Sequence, residues 1–486
     1  MSSVVQRLAG QDGFGRGAHQ HSLRVLAGVA AVGVVCGSLI AIAGLDGLYL
    51  CASLIGCAFI LHDFRVGVVL LIVLLPLSGS YVFPHAMLAI TGLNPLNLLL
   101  IGTLASCLLH GIFARTLRGF LPRPLLWLYV VPIVVAGALG ARHVTSIPSG
   151  FYEHKLVDFL TASGYIRDLV IKPLLMVLFA LLLAAAVRQS TKPERFLIPT
   201  LVSIWAMSLM AIVYYGLGSV ALGTLASSDS RDFFSALGLH ANELGRLYGV
   251  AYALLLFTWA GIRGPALRAA LLASMGVTAL ALLLTFSRGA FVGFVVINLL
   301  YLWWNRSFRT LVFVAALAVG ALFFLPEAVY ERASAGFGGG LDAISAGRIQ
   351  GLWLPLIPEF LRSPVFGSGL GSMLWSDAMR RGAGVTIIGA THPHNAYLEA
   401  LLDMGVVGLA LLCAYFLHVW RGLRAMAEDA ALDRALQGFA RGAAAGLLAL
   451  LVTCITDSSL MPKPEHAFLW TAIGIMYGVQ HRRAGR

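Results

Sequence analysis

Several stretches of this chain set an imidazole or a guanidinium beside residues able to open a helix. One is His240-Ala241-Asn242-Glu243-Leu244-Gly245, bracketed by Arg231 and Arg246. Another is Thr285-Phe286-Ser287-Arg288-Gly289-Ala290, where Arg288 interrupts two apolar runs at a tight reversal. A further one is His392-Pro393-His394-Asn395-Ala396-Tyr397-Leu398-Glu399. A guanidinium is a planar fork of donors that grips a pair of phosphate oxygens. An imidazole changes protonation near neutral pH and can take a proton from a hydroxyl. Arginines gathered around a histidine therefore suit an anionic phosphate ligand and a proton transfer. Asn395 is placed to cap a helix, and the positive end of the helix dipole there favours an anion.

Each stretch also has a plainer reading. Arg288 can cap a helix end or snorkel to lipid headgroups. Asn242 can be a cap with Glu243 as a first-turn acid. His394 can be an interfacial histidine ahead of a capped helix. His392 and His394 carry donors for a metal ion, but a spacing of two on a loop is not a metal-site signature, and no metal or other cofactor is expected. Gly367-Ser368-Gly369-Leu370-Gly371 shares glycines with nucleotide-binding loops, yet no strand precedes it, so a turn is expected.

The elements that must position these groups follow from composition. The chain has 486 residues, 59% of them hydrophobic and 12% charged, with a mean hydropathy of +0.86. A soluble domain carries roughly 25% charged residues. So apolar a chain needs a bilayer, where each backbone group must bond within a helix or a closed barrel. The apolar runs are long and uninterrupted rather than short alternations, which selects helices. They lie near 23–43, 46–61, 66–83, 94–114, 124–141, 168–187, 196–219, 243–261, 268–285, 289–304, 309–326, 396–419, 438–456 and 466–480. The expected fold is all-α and polytopic, with about fourteen transmembrane helices. The run from Ser22 to Gly44 is longer than a signal-peptide core and is read as a retained first helix. All of the cysteines fall inside apolar runs, without metal-ligand spacing.

Net charge is +12. The basic residues are scattered through short loops, so nucleic-acid binding is not expected. Arg65, Arg123, Arg188, Lys192, Arg263, Arg306, Arg421, Arg424 and Arg482 fall in alternate loops, whereas the loops near 44–46 and 84–93 carry neither Arg nor Lys. By the positive-inside rule the first set and both termini face the cytoplasm. The opposite face then holds the long segments 142–166, 220–242 and 327–395. Charged residues at helix ends on that face are the candidates for function, Arg348 and Glu399 among them. The reading divides the chain into a tail (1–22), helices (23–326), a large periplasmic loop (327–395), helices (396–480) and a short tail (481–486). Within the loop, Gly351 to Leu361 is amphipathic enough for a short helix lying on the membrane surface.

These stretches together resemble the O-antigen ligase and polysaccharide polymerase superfamily of bacterial inner membranes. The match runs in order: His240-Ala241-Asn242-Glu243-Leu244, then Ser287-Arg288-Gly289, then Ala346-Gly347-Arg348-Ile349-Gln350-Gly351-Leu352-Trp353 with Ser363-Pro364-Val365-Phe366-Gly367-Ser368-Gly369, then His394-Asn395-Ala396-Tyr397-Leu398-Glu399 with Gly405 and Gly408 beyond. It covers roughly residues 200–420. The resemblance implies a GT-C-like architecture and transfer of a glycan from an undecaprenyl-diphosphate carrier to a glycan or lipid A-core acceptor, without metal or nucleotide sugar. It implies an inner-membrane protein among membrane lipids, with a periplasmic active site and, as possible partners, other polysaccharide-assembly proteins. By its motifs Arg288 would bind the diphosphate and His394 would be the base. A second arginine would be Arg231, with Arg246 as the alternative. His240, Arg246, Arg348, Asn395 and Glu399 would contact diphosphate or glycan. The higher helix count and longer loop depart from the usual ligase and lean towards a polymerase or an atypical ligase.

Readings of other classes remain open at the level of sequence. A transporter or flippase for a lipid-linked glycan or other anionic solute would place charges near the midplane and show internal repeats. Here the charges collect at one face and no repeat stands out. A structural subunit of a polysaccharide assembly is the remaining possibility.

Overall fold

With no water in hydrocarbon to satisfy backbone groups, long apolar runs fold as helices, and the computed structural model is helical through most of them. It describes residues 2–82, 84–113, 120–218, 234–306, 312, 327–334, 336, 338–380, 390–456 and 459–484. The principal helices are α1 (Ser2–His62), α2 (Phe64–Leu74), α3 (Pro95–Phe113), α4 (Val131–Gly140), α5 (Lys172–Gln189), α6 (Leu197–Leu217), α7 (Ala241–Gly261), α8 (Pro265–Leu283), α9 (Arg288–Trp304), α10 (Leu354–Arg362), α11 (Ala396–Ala427), α12 (Arg434–Thr453) and α13 (Ala467–Ala484). Large apolar side chains such as Ile101, Trp127, Ile198 and Trp303 are each more than 60% exposed. Apolar surface of that kind belongs in lipid.

Among the described residues, eight helices are long and apolar enough to cross a membrane. That supports the polytopic all-α expectation but does not reach about fourteen spans. Part of the difference is physical. The α2 helix has only 11 residues and α9 only 17, while α7 carries Glu243 and Arg246 and α13 ends in His481, Arg482 and Arg483. The run expected at 309–326 lies outside the described residues apart from residue 312. The adjacent runs 23–43 and 46–61 form one helix, α1, broken at Gly44 (φ 59°, ψ −131°).

The chain folds as two compact units. One comprises Met1–Gly67 with Phe83–Ser106. In it the Cys51 thiol reaches the Cys36 carbonyl at 3.9 Å, across the Gly44 break. The Leu88 amide donates to the Asp46 carboxylate at 2.9 Å. Leu88 sits in a small antiparallel hairpin, β1 (Ala86–Met87) with β2 (Ile90–Thr91). The two short loops that lack Arg and Lys therefore meet.

The other unit, Val68–Val82 with Cys107–Arg486, holds all of the candidate motifs. Its centre is an antiparallel contact between α7 and α12. Gly438 and Gly442 of α12 face the α7 backbone: a Cβ added at Gly442 would stand 2.5 Å from the Ala253 carbonyl oxygen, and one at Gly438 would stand 2.6 Å from that of Phe257. Helices in lipid associate through such small-residue stripes, because apolar side chains gain little by leaving lipid tails for one another. Tyr129, Tyr415 and Trp470 pack in a second buried cluster, with the Tyr129 ring centre 4.6 Å from that of Tyr415 and 5.4 Å from that of Trp470.

Between α9 and α11 the chain forms short helices and a strap. Ile349–Trp353 and α10 run together, in the place expected for an amphipathic helix. Leu352 and Leu356 are buried with Met373, Met379 and Leu402, so this face packs on protein. The strap over 363–372 is clasped to α11 where that helix breaks at Gly405 (φ 67°, ψ −170°). Val406 and Val407 donate their amides to the Pro364 and Val365 carbonyls at 2.8 and 3.2 Å. The buried Asp403 carboxylate accepts from the Gly371 amide, the Ser372 amide and the Ser372 hydroxyl at 3.0, 3.0 and 2.8 Å. A Gly442→Leu substitution would push a side chain into the α7 backbone, which has no rotamer to yield, and should cost about 1–3 kcal/mol or more by overpacking. A lowered melting temperature of the detergent-solubilised protein, relative to a lipid-facing control such as Ile198→Leu, is the expected result.

Candidate active site

Helix ends assemble this region. His240, rather than Asn242, caps α7: its Nδ1 accepts the Asn242 amide at 3.2 Å, and its own amide donates to Glu243 Oε2 at 3.4 Å. This reciprocal pair satisfies donors that a helix start otherwise leaves bare. The Asn242 side chain turns instead towards the second motif, where its Oδ1 accepts the Ser287 hydroxyl at 2.8 Å. Ser287 in turn caps α9 by accepting the Ala290 amide at 3.3 Å. Arg288 is therefore the first residue of α9, with the cap supplied by its neighbour, and the reversal before it passes through Phe286 in the left-handed region (φ 49°).

Asn395 caps α11 as expected, accepting the Tyr397 and Leu398 amides at 3.1 Å each. His394 precedes it with φ 49°, a conformation uncommon outside glycine. Local bonds hold it there. Its amide donates to His392 Nδ1 at 3.3 Å, and the two rings lie 4.1 Å apart, centre to centre. Trp353 Nε1 donates to the Pro393 carbonyl at 2.8 Å, which ties the third motif to the fourth. Among the described residues no third His, Cys, Asp or Glu joins the two histidines in a metal-binding group.

The C-terminal end of α12 is where these starts meet. Ala396 donates its amide to the Cys454 carbonyl at 2.9 Å, and Tyr397 its hydroxyl to the Leu451 carbonyl at 2.7 Å. The Arg348 guanidinium donates to the Thr456 carbonyl. Arg246, Gly289, Ala290, Gly446, Leu450 and Thr453 line a common cavity. The first turns of α7, α9 and α11 thus converge, and their positive dipole ends meet the negative end of α12.

Two charged residues here escaped the reading of the sequence. Arg246, only 8% exposed, donates from Nε and Nη2 to Glu465 Oε1 at 3.0 and 2.8 Å. Burial opposes ionisation of Glu465, yet the Arg246 guanidinium and the Lys463 ammonium overcome it and hold the carboxyl well below the usual carboxylate range. Burial likewise works against the Lys463 ammonium, and the carboxylates of Glu465, Glu399 and Glu243 raise its pKa nonetheless. Lys463 thereby couples electrostatically to the first and fourth motifs. The available signal was Lys463-Pro464-Glu465-His466, charges standing directly before the last apolar run. Arg231 lies outside the described residues.

Residues 269–413 match the family described as O-antigen ligase. This stretch is similar to the O-antigen ligase family. The matched region contains Ser287-Arg288-Gly289, the residues from Ala346 to Trp353, the strap, and His394 to Glu399. The resemblance read from the ordered motifs holds across this ligase-family region, while His240 to Leu244 precede it. No curated protein matches the chain.

The buried pair between Arg246 and Glu465 ties the ligase-family region's neighbours together, and it makes a sharp test. Removing one partner strands a buried charge and should cost about 3–5 kcal/mol. Arg246→Met and Glu465→Met should each lower the melting temperature strongly, and the double substitution should recover most of the loss.

Proposed function

We propose that the chain is an inverting glycosyltransferase that moves a glycan from an undecaprenyl-diphosphate carrier to a sugar hydroxyl on a periplasmic acceptor, as a polysaccharide polymerase or O-antigen ligase. The observation that carries this reading is the gathering of the helix starts bearing Arg288 and His394 around the end of α12, within or beside a region of the O-antigen ligase family. In the proposed step an acceptor hydroxyl oxygen attacks the anomeric carbon as the bond from that carbon to the diphosphate oxygen breaks. The hydroxyl proton passes to the His394 imidazole, and the lipid diphosphate leaves with the bonding electrons. Arg288 meets the charge that grows on the leaving group, so its contribution is larger in the transition state than in the ground state. The engagement of Arg246 with Glu465 favours Arg231 as the second arginine. Arg246 then serves as a structural support of the site. Asn395, Glu399, His240 and Arg348 would shape the surroundings of glycan and diphosphate.

The arrangement faces the periplasm in this proposal, with both termini cytoplasmic in a bacterial inner membrane. The carrier's polyprenyl tail would lie among membrane lipids, and the reaction needs no metal.

Purified protein reconstituted with a lipid-linked glycan provides the test. New glycosidic bonds are expected from the unsubstituted chain, and His394→Ala should lower the rate about 10²–10⁴-fold, the range for loss of a general base. Arg288→Lys should lower it about a hundredfold, because a point charge does not replace two parallel hydrogen bonds. Glycan crossing the bilayer without new bonds would replace the enzyme with a flippase, and full activity in His394→Ala would remove that residue from the mechanism.

A further inference from the structure

A second cavity, outside the site above, opens where the strap and the short helices of 354–380 meet the end of the α4 segment. Its volume is about 390 Å³, towards the lower end of the range typical of ligand cavities, about 300–1,000 Å³. One wall is aromatic. The exposed imidazole of His143 lies nearly parallel to the Trp375 indole, with ring centres 5.4 Å apart and an interplanar angle of 18°. The other wall is a chain of charges that neutralise one another. Arg362 bridges Glu359 at 2.9 Å and Asp377 at 2.6 Å. Arg380 stands 4.0 Å from the second oxygen of Asp377 and donates to the Ser146 carbonyl at 3.4 Å. The guanidiniums of Arg362 and Arg380 balance the carboxylates of Glu359 and Asp377, so this wall carries no net formal charge.

We propose that this cavity is a binding site for an uncharged stretch of oligosaccharide. A sugar ring presents C–H bonds on its faces and hydroxyls around its edge. The C–H faces suit the electron-rich face of an aromatic ring. The hydroxyls suit fixed donors and acceptors whose orientation is already set by their pairing, which lowers the ordering cost on binding. A polyanion would find no excess of positive charge here, unlike the region around Arg288. The position also fits. Leu402 lines the cavity and lies on the same straight segment of α11 that begins after His394. From Ala396, the first residue of α11, to Leu402 the helix rises about 9 Å, a length that a short oligosaccharide spans. A glycan whose end is held near His394 can thus rest its more distant units against the exposed His143 ring, which Trp375 backs. The assignment of glycan as ligand rests on the proposed function, but the site is defined by its own walls.

Saturation-transfer NMR of the full-length protein in detergent, titrated with chitotriose, maltotriose or trigalacturonate, tests the site without any transfer reaction. At least one neutral trisaccharide should bind, and more tightly than trigalacturonate. His143→Ala should weaken that binding about fivefold, in line with the loss of one aromatic stacking partner, while His143→Phe retains it. Asp377→Asn, which leaves a net positive wall, should shift preference towards trigalacturonate. The proposal is overturned by failure of both neutral probes to bind, by tighter binding of the polyanion, or by indifference to His143→Ala. Probe binding that depends on His143 in a protein with no transfer activity would sink the glycosyltransferase reading alone. Robust transfer without such binding would sink this one alone.

Discussion

The close approach of α7 and α12 is the constraint from which the rest of the larger unit follows. Two helices in lipid gain nothing from hiding leucines, so they must gain from contact itself. Gly438 and Gly442 remove the side chains that would keep the backbones apart. Because the pair is antiparallel, the start of α7 and the end of α12 share one end of the contact. The Asn242–Ser287 bond then brings in α9, and the Ala396–Cys454 bond brings in α11. Residues more than a hundred positions apart in sequence are gathered by backbone and cap interactions, before any ligand contributes.

Charge at this place is balanced by design of the scaffold rather than left to solvent. Arg246 and Glu465 are both buried, at 7% and 1% side-chain exposure, and Lys463 answers the carboxylates of Glu243, Glu399 and Glu465. Such a frame fixes where its neighbours stand at a desolvation cost, which a purely apolar packing would avoid. Its presence beside capped helix starts fits a region whose purpose is to hold polar groups in place.

Much of this was legible in the sequence because it is local. Long apolar runs become helices by necessity, Asn395 caps as its type and position require, and the later ordered motifs, from Ser287 to Glu399, lie in the stretch that matches the expected family. What was not legible is mostly non-local. Nothing in the spacing links Arg246 to Glu465, 219 residues away, or Asn242 to Ser287, 45 residues away. The plainer reading of Asn242 as the cap of α7 is not what forms, because His240 caps instead and the asparagine side chain is spent on Ser287. The amphipathic helix forms where it was expected; Leu352 and Leu356 pack on protein, while Leu354, Ile357 and Leu361 stay exposed. Periodicity shows that an apolar face exists and is silent on whether lipid or protein covers it.

The break of α11 at Gly405 determines how freely the outer segment can move. Past the break, the amides of Val406 and Val407 have given up intrahelical partners and depend on the carbonyls of Pro364 and Val365. Peeling the strap away would strand both amides, at several kcal/mol each if no water reaches them. The root of the strap therefore behaves as masonry, not as a door. Whatever rests against this edge meets a fixed rim rather than the opening and shutting of a flap.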